Sequence, residues 1–248
     1  MAQVAFAAAG AGAEVNANTS LAVPYPASVA AGDLLVLVKC GGEHAMGFDN
    51  PGGSWARHPG VPADVDIGTV ATIGATCISV WYVWADGTET GDLATTCTTS
   101  TNNHAGRMFR YNGFVSTGSD PFVGSATASG TDASIESPAT SAAATADNDM
   151  GLLVCVLGDD NATGNWDEAA ESVEWTESVA EFLAGLGNDT AITVNHAAGV
   201  TSGNVINANL ETMAASDPWW VLTCIVKETA GAAVTEIPFL VMARRNRR

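Results

Sequence analysis

Cations are scarce in this chain. Nine Lys and Arg stand against 27 Asp and Glu in 248 residues, a formal net charge of −18, and lysine occurs only at Lys39 and Lys227. A body this acidic repels phosphates, which argues against nucleic acid as its partner, and none is expected. Charge of either sign is sparse, at 15 %, against roughly 25 % in ordinary soluble domains. Gly, Ala, Ser and Thr fill the gap, a composition suited to short strands and turns rather than exposed helices. No apolar run approaches the ~20 residues that span a bilayer. The start, Met1-Ala2-Gln3-Val4, lacks the positive segment of a secretory signal, so folding in a cytoplasm is expected. The five cysteines (Cys40, Cys77, Cys97, Cys155, Cys224) are odd in number and form no CxxC pair. Reduced, buried thiols are the simplest reading.

Strand signals dominate what is present. Leu34 to Val38 and Leu152 to Leu157 are short continuous apolar runs, the pattern of strands buried on both faces. Ile78 to Trp84 is rich in aromatic and β-branched residues and ends at Asp86-Gly87, with Leu93 to Thr99 as its expected hairpin partner. Arg107 to Phe114, Thr190 to His196, Val205 to Leu210 and Trp219 to Val226 read as further strands. Asp167 to Leu186 has glutamates at helical spacing, but Val173, Trp175 and Thr176 are poor helix formers, and a strand across Val173 to Phe182 is favoured.

The two halves echo each other. Ala31-Gly32-Asp33 introduces the first Leu-Leu-Val run and Asp149-Met150-Gly151 the second; each run is followed by a polar loop and a tryptophan, Trp55 or Trp166. Trp81 and Trp84 lie on one later strand, Trp219 and Trp220 on another. Strands at this spacing without alternating helices imply an all-β, antiparallel β-sandwich of jelly-roll type with two pseudo-repeated halves. The sandwich is expected over residues 1–228, with halves of roughly 1–123 and 146–228. Gly124 to Thr145, rich in Ser, Ala and Thr, crosses between them as a loop or edge strand.

Residues 229–248 differ in kind. After a short link, Ile237, Phe239, Leu240 and Met242 form an apolar, extended-prone segment, followed by Arg244, Arg245, Arg247 and Arg248. Five basic residues against all 27 acids leave residues 1–243 at −22, while the last five positions carry +4. Such a segment reads as an attachment arm that adds to a partner's sheet edge and pairs its arginines with acidic groups. The same residues could instead form an extra strand of the chain's own sandwich. Four arginines are too few for strong membrane anchoring, and no membrane partner is expected.

Signatures of chemistry are few. G-x-S-x-G, H-E-x-x-H and P-loop motifs are missing, and His44, His58, His104 and His196 are scattered on expected loops and strand ends as exposed or capping residues. No enzyme activity, catalytic residue or cofactor is expected. Asp159, Asp160 and Asn161 form an oxygen-rich loop that could take Ca2+, and Asp147-Asn148-Asp149 is another, yet neither has EF-hand spacing. Ordinary turns are the favoured reading of both. Trp81 and Trp84 must face opposite ways on a strand, as must Trp219 and Trp220. One ring of each pair is therefore expected under a loop, at a subunit contact or exposed to a ligand.

The order Ala31-Gly32-Asp33-Leu34-Leu35-Val36, Gly53-Ser54-Trp55, Val80 to Ala85, Arg110-Tyr111-Asn112-Gly113-Phe114 and Asp120-Pro121-Phe122 resembles a β-sandwich type found in tailed-phage virion proteins. Glu174 to Glu177 followed by Gly187 to Ala191 continues the likeness, which spans most of residues 20–226. The resemblance implies a non-enzymatic structural protein on the virion surface, made in the host cytoplasm. A capsid decoration (cement) protein that binds the assembled head is the leading expectation, and a head- or tail-fibre module recognising host glycans is the alternative. The implied partners are the major capsid protein or another virion protein, and further copies of the chain, a trimer being favoured.

Overall fold

The structure, a computed structural model, describes residues 3–41, 48–61, 65–67, 76–98, 103–114, 117, 120–158, 176–177, 182–184, 190–212, 216 and 218–228. The described residues contain strands and no helix. The first group is β1 (Ala5–Ala9), β2 (Ala13–Val15), β3 (Ser20–Pro24), β4 (Leu34–Gly41), β5 (Ala56–Arg57) and β6 (Val65–Ile67). It continues through β7 (Thr76–Trp84), β8 (Asp92–Thr96) and β9 (His104–Asn112). The second group is β10 (Phe122–Gly130), β11 (Ser134–Ser137), β12 (Asp149–Leu157), β13 (Thr176–Glu177) and β14 (Phe182–Ala184). It ends with β15 (Thr190–Val200), β16 (Asn209–Thr212) and β17 (Trp219–Val226).

The strands form two large antiparallel sheets and two ribbons. The first sheet has the order β1-β9-β4-β7-β5, with β2 also on β9 and β6 also on β7. The second has the order β10-β17-β12-β15-β13, with β14 also on β15. β3 pairs with β8 in one ribbon and β11 with β16 in the other. The first sheet and its ribbon thus draw only on residues 5–112, and the second pair only on 122–226.

Period-2 alternation places the core. Leu34, Val36, Val38 and Cys40 of β4 meet Leu152, Val154 and Val156 of β12 in one buried cluster between the sheets, with Phe109, Tyr111, Leu222 and Cys224. The alternate residues Leu35 and Leu37 face outward and are covered by Leu21 and Val23 of the β3–β8 ribbon. Likewise Leu153, Cys155 and Leu157 pack with Ile135 of β11 and Ile206. The layers therefore run ribbon, sheet, sheet, ribbon. Being covered on both faces explains why β4 and β12 read as unbroken apolar runs. Each fully buried Leu or Val there contributes about 1.5–3 kcal/mol.

Both central strands begin at the same turn. Asp33 donates its N–H to Ala30 O (3.1 Å) and accepts Ala30 N–H on Oδ2 (2.9 Å). Asp149 donates its N–H to Ala146 O (3.2 Å) and accepts Ala146 N–H on Oδ2 (3.1 Å). An aspartate closing a turn three residues back satisfies backbone that the ladder cannot reach.

Several expectations need correction. β8 does not return along β7; it leaves the sheet to pair with β3. The segment after β7 closes on itself instead, with Glu89 accepting the N–H groups of Asp86 and Gly87 (both 2.9 Å), so the two-residue hairpin does not form. Val205 to Ala208 are not strand; the pairing begins at Asn209. Gly124 to Thr145 contributes most of β10 and all of β11. Within Asp167 to Leu186 the described pieces, β13 and β14, are strands on β15. Trp81 and Trp219 do not occupy matching places: β7 flanks β4 on the β5 side, whereas β17 flanks β12 on the β10 side.

Candidate functional site

A groove of about 230 Å³ opens on the outer side of the first sheet. Val83 of β7 and Leu93 of β8 supply its apolar floor, and Tyr25 and Trp55 its aromatic walls. The wall at Pro51 to Trp55 is a turn built on Asn50. Asn50 Oδ1 accepts Gly52 N–H (2.8 Å), Asn50 Nδ2 donates to Trp55 O (3.3 Å), and Trp55 N–H returns to Gly52 O (3.3 Å). Gly52 (φ 95°) and Gly53 (φ 59°) supply the left-handed backbone that this turn needs. Glu89 lines the opposite side, its carboxylate fixed by the two N–H groups it caps. Burial, then the charges of Glu89 and Asp86, push the Tyr25 phenol above its ordinary pKa. The groove therefore combines two rings, an apolar floor and a negative rim, a chemistry that favours a cation.

A second constellation lies under the same ribbon. Lys39 is wholly buried, donates to Thr96 O (2.9 Å) and sits over the Phe48 ring, 4.7 Å from its centroid. Burial lowers its pKa to about 8, against the opposing pull of Cys97 and Asp49. Cys97 Sγ lies 3.9 Å from His104 Nε2, and Thr96 Oγ1 donates to Asp49 Oδ2 (2.7 Å). Burial first, then the Lys39 charge, lowers His104 to about 4, so the imidazole is neutral at ordinary pH. A thiol, a neutral imidazole and an amine are groups that serve nucleophilic chemistry elsewhere. Here Cys97 and His104 are both buried, and Phe48 and Cys77 pack against the thiol. The arrangement works as a polar plug that ties β4, β8 and β9 together.

The structure places most of the sequence candidates in structural roles. His58 is buried rather than exposed: its ring packs on Phe122 (centroids 4.1 Å apart), Nδ1 accepts Gly60 N–H (3.1 Å), and burial depresses its pKa to about 3. His196 is half-buried against Phe6, and His44 lies outside the described residues. Asp149 accepts Thr145 N–H, Thr145 Oγ1 and Ala146 N–H on Oδ2 (2.6, 2.9 and 3.1 Å) and Glu228 N–H on Oδ1 (2.8 Å). Asp147 accepts Ser202 N–H, so this loop uses its oxygens as turn caps. Asp159, Asp160 and Asn161 lie outside the described residues, and so do Ile237, Phe239, Leu240, Met242, Arg244, Arg245, Arg247 and Arg248.

The tryptophans do face opposite ways. Trp81 lies under the β3–β8 ribbon with the Arg57 guanidinium 4.6 Å from its ring centroid, whereas half-buried Trp84 packs edge-on against Phe114 (4.8 Å). Trp219 is buried in the outer cluster of the second sheet and donates to Asp132 Oδ1 (3.2 Å); Trp220 is in the central core. All five cysteines are reduced and buried. Sequence reasoning missed the groove. Its only sequence signal is the Asn50-Pro51-Gly52-Gly53 turn beside Trp55, which says nothing of Tyr25 or Glu89 until β3 and β8 are paired. No protein-family model matches the chain, and neither a curated protein nor a solved structure matches it.

Proposed function

We propose that the chain is a non-enzymatic structural protein of a phage particle, a capsid decoration protein that binds the assembled head and stabilises it. The observation that carries this reading is a division of labour along the chain. Residues 3–228 contain a layered, acidic body whose polar groups mostly serve internal tasks, while residues 229–248 hold an apolar run and a basic tip. Lys39, Arg57, Arg107 and Arg110 each have a partner inside the body: Thr96 O, the Trp81 ring, Gly10 O and Asp33 respectively. The tail arginines are the chain's own means of attachment to an acidic surface.

The finer architecture belongs to the same proposal. The pairings β1–β9, β3–β8 and β4–β7 describe a rolled-up hairpin, and so do β10–β17, β11–β16 and β12–β15. We read the body as two pseudo-repeated rolls of jelly-roll connectivity packed by their larger sheets. A decoration protein that prefers the assembled shell to its dissociated subunits stabilises the shell by mass action, and clustering of copies, with a trimer favoured, adds avidity. The major capsid protein is the leading partner. The test is incorporation into particles. Deleting residues 234–248 should abolish binding to heads while the body keeps its melting transition. Full incorporation of the truncated chain would refute the attachment arm, and a reconstruction placing the chain on no particle surface would refute the role.

A further inference from the structure

We infer that the groove between Tyr25 and Trp55 is a guanidinium site, and that its occupant is the basic tip of the chain's own C-terminal segment, parked there before attachment. This rests on the reading of residues 229–248 as a docking segment and adds where that segment goes when no partner is present.

Four observations lead to it. First, the groove is small: about 230 Å³ lies below the ~300–1,000 Å³ of sites that enclose whole small molecules, and suits a single long side chain. Second, its chemistry is cationic. Tyr25 and Trp55 supply aromatic rings to its lining, Leu93 and Val83 apolar surface for a methylene stem, and Glu89 a carboxylate held rigid by two N–H groups. Exposed Asp86, whose charge is felt at Tyr25, and exposed Asp92, next to Leu93 in the chain, add negative charge around the groove without lining it. Third, of the five basic residues outside the tail, Lys39, Arg57, Arg107 and Arg110 are engaged elsewhere, as above, and Lys227 stands at the exit from β17 with its N–H on Pro121 O, so the cationic cluster free to complement this rim is Arg244 to Arg248.

Fourth, the chain leaves the body at the right end. Val226 pairs with Phe122, and Lys227 N–H donates to Pro121 O (2.9 Å). Phe122 packs edge-on against Tyr82, with centroids 5.1 Å apart. Tyr82 pairs with Ala56, whose neighbour Trp55 lines the groove, as does Val83 beside Tyr82. Exit and groove thus lie on opposite faces of the same end of the first sheet, separated by about one sheet-packing distance of ~10 Å and the short edge strand β5. The 15 residues from 229 to 243 reach about 50 Å when extended, ample to round that edge. A parked tip hides the arm's arginines until a more acidic or better-fitting surface competes for them.

The test uses the full chain with the photo-reactive residue p-benzoylphenylalanine at position 246, irradiated in dilute solution, with an equal mixture of isotope-labelled and unlabelled protein. Cross-links should concentrate on residues 51–55 and 86–93 within single copies. Their yield should fall several-fold in 0.5 M NaCl, in the tail variant R244E/R245E/R247E/R248E, and in Asp92→Lys, with melting temperatures confirming that the variants fold. Cross-links scattered over the surface, or yields indifferent to these charge changes, would overturn the site. Cross-links joining labelled to unlabelled copies would overturn parking within one chain. Either failure is distinct from failure of the attachment reading, which depends on whether the chain lacking residues 234–248 still binds particles.

Discussion

Lowering the pH should destabilise this body through His58, and the size of the effect follows from where the ring sits. His58 is buried at the junction of the two sheets, packed at a tilt against Phe122, with Nδ1 occupied by Gly60 N–H. Its folded pKa is about 3, against 6.5 for the free side chain, and burial is the cause. The unfolded chain therefore takes up a proton below pH 6.5 that the folded body refuses until about pH 3. The stability associated with the neutral ring is complete above pH 6.5 and is lost as pH falls through that window, by about 1.4 kcal/mol per pH unit. Between pH 7.5 and 5.0 the loss from His58 is about 2 kcal/mol, a large share of the ~5–15 kcal/mol that holds a typical domain.

The measurement is a pair of urea titrations, at pH 7.5 and pH 5.0, on the wild type and on His58→Asn. Asparagine keeps an acceptor near the Nδ1 position and does not titrate. The variant is expected to be weaker at pH 7.5 because it fills the site less well. Its further loss on going to pH 5.0 should be smaller than the wild type's by about 2 kcal/mol. Comparing the two chains cancels the other titrating groups, including His104 and His196, whose pKa values burial also lowers. An identical pH dependence in both chains would show that His58 is accessible to protons, and the packing argument would fail.

Lys39 should act at the other end of the scale. Its lowered pKa means the folded body gains stability as pH rises from about 8 to 10.5, so Lys39→Met should be more stable than wild type at pH 7 in urea melts, with the gap closing toward pH 10. Leu152→Ala, in the core between the sheets, should cost about 2–5 kcal/mol by the same assay; a loss under 1 kcal/mol would mean that the sheets are not close-packed there. Asp149→Ala removes the acceptor for Thr145, Ala146 and Glu228 and should lower stability by about 2–4 kcal/mol, while Asp147→Ala, whose Oδ1 accepts Ser202 N–H, should cost about 1 kcal/mol. The five thiols should react with a disulfide reagent only as fast as the chain unfolds. Cys40, pushed up to about 12 by burial, should be among the slowest, and a fast stoichiometric burst would contradict its burial.

What was legible in the sequence follows from period and punctuation. β4 and β12 are covered on both faces, so the apolar runs Leu34 to Val38 and Leu152 to Leu157 announced them directly. The opposed faces of Trp81 and Trp84, and of Trp219 and Trp220, followed from alternation alone. Partner choice was not legible. Asp92 to Thr96 looked like the return strand of β7 because a turn pair separates them, yet the strand's pairing was decided by Leu21 and Val23 needing a sheet face to cover. β1 and β2 escaped notice because Ala5 to Ala9 and Ala13 to Val15 are mostly alanine, a weak strand former; they are held by backbone pairing with β9 and by Phe6 packing on Tyr111. The histidines were misjudged for a related reason. A histidine between a turn and a strand reads as a surface residue until the fold puts Phe122 or Lys39 beside it.

The two ribbons show where chemistry concentrates. Under β11–β16 the outward positions of β12 are Leu153, Cys155 and Leu157, an apolar series closed by Ile135 and Ile206. Under β3–β8 the outward series of β4 begins in the same way with Leu35 and Leu37 but then places Lys39 beside Cys97 and His104. Burying a cation in this way is weak evidence of stabilisation, because desolvation offsets most of its attraction to Thr96 O and the Phe48 ring. A strand that needed only stability would do as well with Leu or Met at that position. The groove of Tyr25, Trp55 and Glu89 lies under this same ribbon, toward the other end of β4. The β3–β8 side therefore carries both the buried Lys39–Cys97–His104 group and the aromatic, acid-rimmed groove, whereas the residues packed under β11–β16 are apolar.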